Sequence, residues 1–364
     1  MDGDQSARTQ AETRAEPQRL ARLDGLRGLA AVVVAFAYHP RILFAPELFT
    51  NHGPVVEWLS HWGWTFVDLF FELSGYIFAH VYLPGDKLAR PGAMAQFGVA
   101  RVARLYPLHL LTLLAVALFA WGQHGNTAGA FGLHLVMLQN FVRPVPDTFN
   151  GPAWSLSVEA CCYVLFAFAA MRGGGRRLAL VTGLALTLGL AHLLINGQSE
   201  GPWVADNLPR GLLGFFLGQV LWHGRSALAR VPSVLLWAAL ALGLVMPTGA
   251  WSSLLPLVLL AFPAALLLAL RQPWLEGRVM RWLGDRSYAV YLLHVPVIAA
   301  VKAVTGPVPA QAAWAWPLYA GLIALILLLA DITYRWYEMP ARRAIRAVWQ
   351  ARQPAGPVRP HATA

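Results

Sequence analysis

Leu23-Asp24-Gly25-Leu26-Arg27-Gly28-Leu29-Ala30-Ala31 opens an apolar run that reaches Ala37 and closes on Tyr38-His39-Pro40. This stretch decides the fold. It reads as a hydrophobic helix with an arginine near its start and a histidine near its end. Twelve residues at ~1.5 Å each put them roughly 18 Å apart, over half the thickness of a bilayer core. Charged and proton-transferring groups at that depth are expensive, so they point to a functional site.

The rest of the chain extends this reading. Of 364 residues, 57% are hydrophobic and only 13% charged, against about 25% charged in a soluble domain. Mean hydropathy is +0.50. The expected fold is an all-α integral membrane protein, a bundle of ten transmembrane helices. Apolar segments place these near 26–44, 64–83, 104–121, 153–171, 177–195, 207–223, 232–248, 251–270, 286–304 and 313–335. Residues 1–22 are polar and arginine-bearing, without the pattern of a secretory signal. They read as a disordered cytoplasmic tail, 23–346 as the membrane domain, and 347–364 as a short cytoplasmic tail.

Basic residues test the helix count. With the N-terminus inside, 24 of the 28 lysines and arginines fall in cytoplasmic sections. Arg41, Arg143, Arg210 and Lys302 fall outside. This alternation supports ten spans and two cytoplasmic ends. The net charge of +10 is therefore an orientation signal. No zinc-finger, helix-turn-helix or RNP pattern occurs, which argues against a nucleic-acid partner. Adjacent Cys161 and Cys162 lie in an apolar run and read as buried thiols, with no metal spacing around them.

Two outer loops stand out. Residues 45–63 hold His52, Glu57 and His61; residues 122–152 hold His124, His134 and Asp147. The segment 131–142 is apolar but too short to span, and reads as a re-entrant or interfacial helix. Loops of this kind suit the gripping of a large polar substrate.

Several residues are candidates for chemistry. His39 is a candidate general base, and equally an interfacial histidine bonded to a carbonyl. Arg27, Arg101 and Arg104 are candidate phosphate contacts, and equally cytoplasmic anchors of their helices. Arg101 and Arg104 are three apart and share a helix face, so two guanidinium forks suit a pyrophosphate. Asp68 and Glu72, four apart, are either a buried structural pair or functional, Asp68 as the group orienting a histidine. Glu159 lies just inside the fourth span and His294 interrupts the ninth. Asp331, Arg335 and Glu338 read as a helix-surface network. No Walker loop, dinucleotide fingerprint, metal cluster or Gly-x-Ser-x-Gly elbow is present.

Six stretches occur in order: Leu23-Asp24-Gly25-Leu26-Arg27-Gly28, Asp68-Leu69-Phe70-Phe71-x-Leu73-Ser74-Gly75, Arg101-x-x-Arg104-x-Tyr106-Pro107, Trp154-Ser155-Leu156-Ser157-Val158-Glu159, Gly284-x-x-Ser287-Tyr288-x-x-Tyr291-Leu292-Leu293-His294 and Glu338-x-Pro340. Together they resemble the acyltransferase-3 family of membrane O-acyltransferases, over about residues 20–345. The resemblance implies transfer of an acyl group, most often acetyl, from cytoplasmic acyl-CoA to a hydroxyl of a carbohydrate or glycoconjugate. It also implies residence in a bacterial cytoplasmic membrane. It makes Arg27 and His39 essential and carries donor contacts onto Arg101 and Arg104. The expected mechanism adds Arg27 as a donor contact, His39 as the base, and Asp68 or Glu159 as the carboxylate orienting the imidazole. No permanently bound cofactor is expected.

Two positions depart from the family pattern. The usual arginine–histidine spacing is eleven, about 20° from one face of an ideal helix; here it is twelve, about 120°. Tyr38 takes the usual histidine position. Glu72 stands where an apolar residue is usual. A proton-coupled glycan transporter is the rival reading, since ten helices with buried carboxylates also suit export. A non-catalytic scaffold is a second.

Overall fold

The structure, a computed structural model, describes residues 20–352 except for 51, 143–144, 174, 196–206, 247–251 and 253. Most of both tails, Arg143 and Trp203 lie outside these residues. The described chain is helical throughout, apart from turns and one parallel bridge between Phe44 and Val308.

All ten apolar segments are helical. The first helix, α1 (Ala21–Val32), continues through a π-helical turn over Val33–Tyr38 and a 3-10 turn over His39–Ile42. A surface helix, α2 (Pro54–Trp62), precedes α3 (Phe66–Tyr82). Then come α4 (Ala93–Ala120), the short loop helix α5 (Ala128–Leu135), α6 (Trp154–Ala170), α7 (Gly175–Ile195) and α8 (Asn207–His223). The chain goes on through α9 (Ser233–Val245), α10 (Leu254–Ala269), α11 (Arg278–Thr305), α12 (Ala315–Thr333) and α13 (Met339–Ala351).

Five helical stretches meet the length and hydropathy needed to cross a bilayer on their own: α4, α6, α7, α11, and α12 running on into α13. The protein is a multi-pass membrane protein. Leu118 and Val304 are 82% and 87% exposed, which lipid tolerates and water does not.

Boundaries differ from expectation in four places. Helix α4 begins eleven residues before the expected 104 and α11 eight before the expected 286. Arg101, Arg104 and Arg286 therefore sit within continuous helices, Arg104 and Arg286 paired with Glu338 and Asp331 and Arg101 set among aromatic rings. The apolar loop segment forms only the two turns of α5 and a 3-10 turn at Gln139–Phe141. Helix α13 reaches Ala351, past the expected boundary at 346.

Glycine sets the two closest helix crossings. A Cβ on Gly28 of α1 would lie 2.7 Å from the backbone nitrogen of Gly284 on α11. A Cβ on Gly218 of α8 would lie 2.0 Å from the Glu72 carbonyl oxygen on α3. Small residues let backbones meet where no hydrophobic effect drives helices together. The first crossing brings Arg27 and His39 against α11.

Pro296 within α11 cannot donate to the Leu292 carbonyl one turn back. The Asn150 side chain donates to that oxygen instead, at 3.0 Å. The long loop between α4 and α6 is thus tied to α11 two residues from His294.

Candidate active site

The π turn in the first helix corrects the twelve-residue spacing. The His39 backbone N–H donates to the Val34 carbonyl, five residues back. One extra residue is absorbed there, so His39 stands where the eleventh position of an uninterrupted helix would stand, about 20° from the Arg27 face. The Val33–Tyr38 bulge keeps the histidine on the face that meets α11.

His39 and His294 meet there. His39 Nδ1 lies 3.0 Å from His294 Nε2 and 2.9 Å from the Val34 carbonyl oxygen. The ring centroids are 4.6 Å apart. His294 Nδ1 lies 3.2 Å from the Val290 carbonyl oxygen. A carbonyl only accepts, so each ring is assigned its proton on Nδ1. The one Nδ1 proton of His39 is then shared between the Val34 carbonyl and His294 Nε2, both acceptors, and His39 Nε2 keeps its lone pair. That is the tautomer a general base requires.

The three arginines converge at the other end of the bundle. Arg27 Nε donates to Ser287 Oγ at 3.1 Å, and Arg27 Nη2 pairs with Asp24 at 2.6 Å. Arg104 pairs with the buried Glu338 and stacks over the Tyr288 ring at 5.1 Å. Arg101 sits among aromatic rings, 4.9 Å from the Phe78 centroid and 5.7 Å from that of Tyr163. Its Nη2 donates to the Tyr82 hydroxyl at 3.3 Å, while its buried Nε has no partner among the described residues. All three guanidinium groups line one cavity of about 150 Å³, with Glu159 and Tyr163 beside them.

The carboxylates differ from expectation. Neither Asp68 nor Glu159 orients His39; His294 and a backbone carbonyl hold that position. Asp68 makes a bidentate pair with Arg210, at 3.1 and 2.8 Å, with both side chains fully buried. Arg210 lies over Trp64 and Trp154 at 4.7 and 5.4 Å. It ties α8 to α3 inside the bundle and so does not mark an outer loop. Glu159 accepts from Ser74 at 2.8 Å and from the Tyr163 hydroxyl, on the arginine side of the cavity. Asp331 pairs with Arg286 and Arg335, but Glu338 leaves that surface network for Arg104. Glu72 is fully buried, and neither carboxyl oxygen has a partner among the described residues.

The profile of a family described as an acyltransferase domain matches residues 20–335. The chain belongs to the acyltransferase-3 family. It is 29% identical over 354 residues to the acyltransferase MdmB of Streptomyces mycarofaciens, across 86% of this chain and 88% of that one. It is 25% identical over 303 residues to the O-acetyl transferase of Shigella phage Sf6, across 75% and 83%. It is 24% identical over 372 residues to the O-acetyltransferase OatA of Staphylococcus aureus, across 90% of this chain and 58% of that longer protein. No solved structure matches the chain.

In this acyltransferase His109 of α4 and His134 of α5 anchor the loop between α4 and α6. His109 Nε2 donates to the His134 carbonyl at 2.8 Å, and His134 Nε2 to Thr148 Oγ1 at 3.0 Å. Burial pushes the His134 imidazole down to about 4. Sequence reasoning named His294, Ser287 and Tyr291 without a role and placed Arg210 on the outside. A histidine inside an apolar span is signal enough for the first. The roles of the others become legible only when α11 meets α1 and α8 meets α3.

Proposed function

We propose that this acyltransferase moves an acetyl group from acetyl-CoA to a hydroxyl of a carbohydrate or glycoconjugate acceptor. One observation carries the reading. Arg27, Arg101 and Arg104, up to 77 positions apart in the chain, line one cavity that runs toward the His39–His294 pair. Guanidinium forks suit the phosphates of coenzyme A. Arg101, with no carboxylate bonded to it among the described residues, is the group best able to take one. The pantetheine arm then directs the thioester toward the histidines.

His39 Nε2 takes the proton of the acceptor hydroxyl. The oxygen attacks the thioester carbonyl, the C–S bond breaks as the C–O bond forms, and coenzyme A leaves as a thiolate that regains a proton. General-base assistance of this kind contributes about 10²–10⁴-fold. Arg27, Arg101 and Arg104 bind the donor. Asp68 supports the site by holding Arg210, and Glu159 holds its place among the donor arginines.

The acceptor has a vestibule of its own. A cavity of about 450 Å³ lies against the end of the first helix, lined by Tyr38, Arg41, Phe49, Glu57 and His61. The Tyr38 ring is 4.9 Å from that of His39, and Arg41 stacks on it at 4.5 Å. Aromatic faces with flanking polar groups suit a pyranose ring. The acetyl group follows from the names of the phage and staphylococcal relatives, both O-acetyltransferases. The excess of basic residues at the arginine end favours a cytoplasmic donor side and two cytoplasmic termini, in a bacterial inner membrane.

Proteoliposomes of known orientation test this reading. Acetyl-CoA offered at the arginine end should label a glycan offered at the histidine end. Labelling only when both substrates share one side would overturn the two-sided arrangement.

A further inference from the structure

We infer that Phe70 and Tyr291 form the floor of the donor cavity and set the length of the acyl group the enzyme accepts. The inference rests on the reading that this cavity takes acyl-CoA.

Three helices give the cavity its direction. From the arginine end toward the histidine end, α11 contributes Ser287, Tyr288 and then Tyr291. Helix α6 runs the other way and contributes Tyr163 and Glu159 before Leu156 and Ser155. Helix α3 likewise brings Phe78 and Ser74 first, and Phe70 and Val67 last. The cavity is therefore charged at its mouth and mostly apolar at its far end.

At that end the Phe70 and Tyr291 rings meet edge to face, with centroids 5.6 Å apart. Tyr291 is held by its hydroxyl, which donates to the Pro152 carbonyl at 3.1 Å. Behind it the Tyr291 ring is 5.8 Å from that of His294, which bonds His39. The two rings thus lie at the end of the cavity nearest the histidine pair. The cavity is narrow, about 150 Å³. An acyl chain directed along it ends against these two aromatic rings, so each further methylene meets one of them. A closed apolar pocket discriminates about 10–200-fold per methylene.

The test is chain-length preference in the purified, membrane-reconstituted enzyme. Thiol release is followed with acetyl-, propionyl-, butyryl- and hexanoyl-CoA for wild type, Phe70→Ala and Phe70→Leu, with thermal unfolding as a folding check. The butyryl-to-acetyl ratio of kcat/KM should rise at least about 10-fold in Phe70→Ala, and by less in Phe70→Leu. Phe70→Leu keeps most of the apolar bulk and covers the case in which the alanine variant fails to fold. An unchanged ratio in folded variants overturns the floor assignment. Binding of unacylated coenzyme A to wild type, by calorimetry, separates the two ideas. If coenzyme A binds and the ratio stays fixed, only the floor is wrong. If coenzyme A does not bind, the donor reading fails and this inference with it.

Discussion

His294 Nε2 stands 3.0 Å from His39 Nδ1, and each histidine donates to a carbonyl of its own helix. Two carbonyl acceptors thereby fix two tautomers. The pair needs no carboxylate, and it leaves the outer nitrogen of His39 basic. His294→Gln retains an acceptor oxygen, while His294→Leu retains none. The leucine variant should lose about 10²-fold in kcat with an unchanged KM for acetyl-CoA, and glutamine should recover part of it. Equal losses in the two variants would show that His294 serves packing alone.

The π turn at Val33–Tyr38 carries one residue more than a regular helix needs. Deleting Val33 should convert it to α-helix and leave Arg27 and His39 facing α11. Acetyl-CoA turnover should stay within about tenfold of wild type, because the chain beyond a single-residue bulge keeps its place when the bulge is removed. Inserting an alanine after Ala31 adds a second extra residue and should abolish turnover. A deletion as damaging as the insertion would refute this account of the spacing.

Asp68 and Arg210 are a buried pair, so their removal should be felt as stability. Asp68→Asn leaves a buried guanidinium uncompensated, at a cost of about 3–5 kcal/mol. The double variant Asp68→Leu with Arg210→Met should be more stable than Asp68→Asn alone. Thermal unfolding in detergent reads both. An Asp68→Asn protein that unfolds like wild type but turns over no donor would return Asp68 to the catalytic set.

Acid should loosen the outer loop through His134. Its folded value is pushed down to about 4, below the usual ~6.5 of an unfolded histidine. Between those values the unfolded loop binds more protons than the folded one, so stability is full above about 6.5 and is lost as the pH falls toward 4. The protection factors of α5 against hydrogen exchange, taken relative to intrinsic rates at each pH, should fall over that window in wild type and much less in His134→Gln. Protection that is the same at pH 7.5 and pH 4.5 would remove His134 from this role.

Much of the fold was legible because bilayer physics writes it plainly. Apolar segments of spanning length located the ten segments, which are helical over most of their described residues. The long-range partners were less accessible. Arg210 reads as an outer-loop cation because sequence shows its distance from a helix end and hides Asp68 on another helix. The π turn leaves only a spacing anomaly as its trace. Asp68 and Glu159 fit a histidine-orienting role by type, but burial commits the first to Arg210 and the second to Ser74 and Tyr163. Arg101 and Arg104 fit the donor role by spacing alone, and the aromatic surroundings of Arg101 were invisible until α3, α4 and α6 were packed.

The most direct test of the central claim is acetyl-CoA turnover by free-thiol release in nanodiscs, for wild type, His39→Ala and Arg104→Ala side by side. The account predicts turnover by wild type that both variants lose. In Arg104→Ala the loss should fall mainly on KM, and in His39→Ala on kcat. Turnover unchanged in both variants would contradict a site that runs from the arginine cavity to His39.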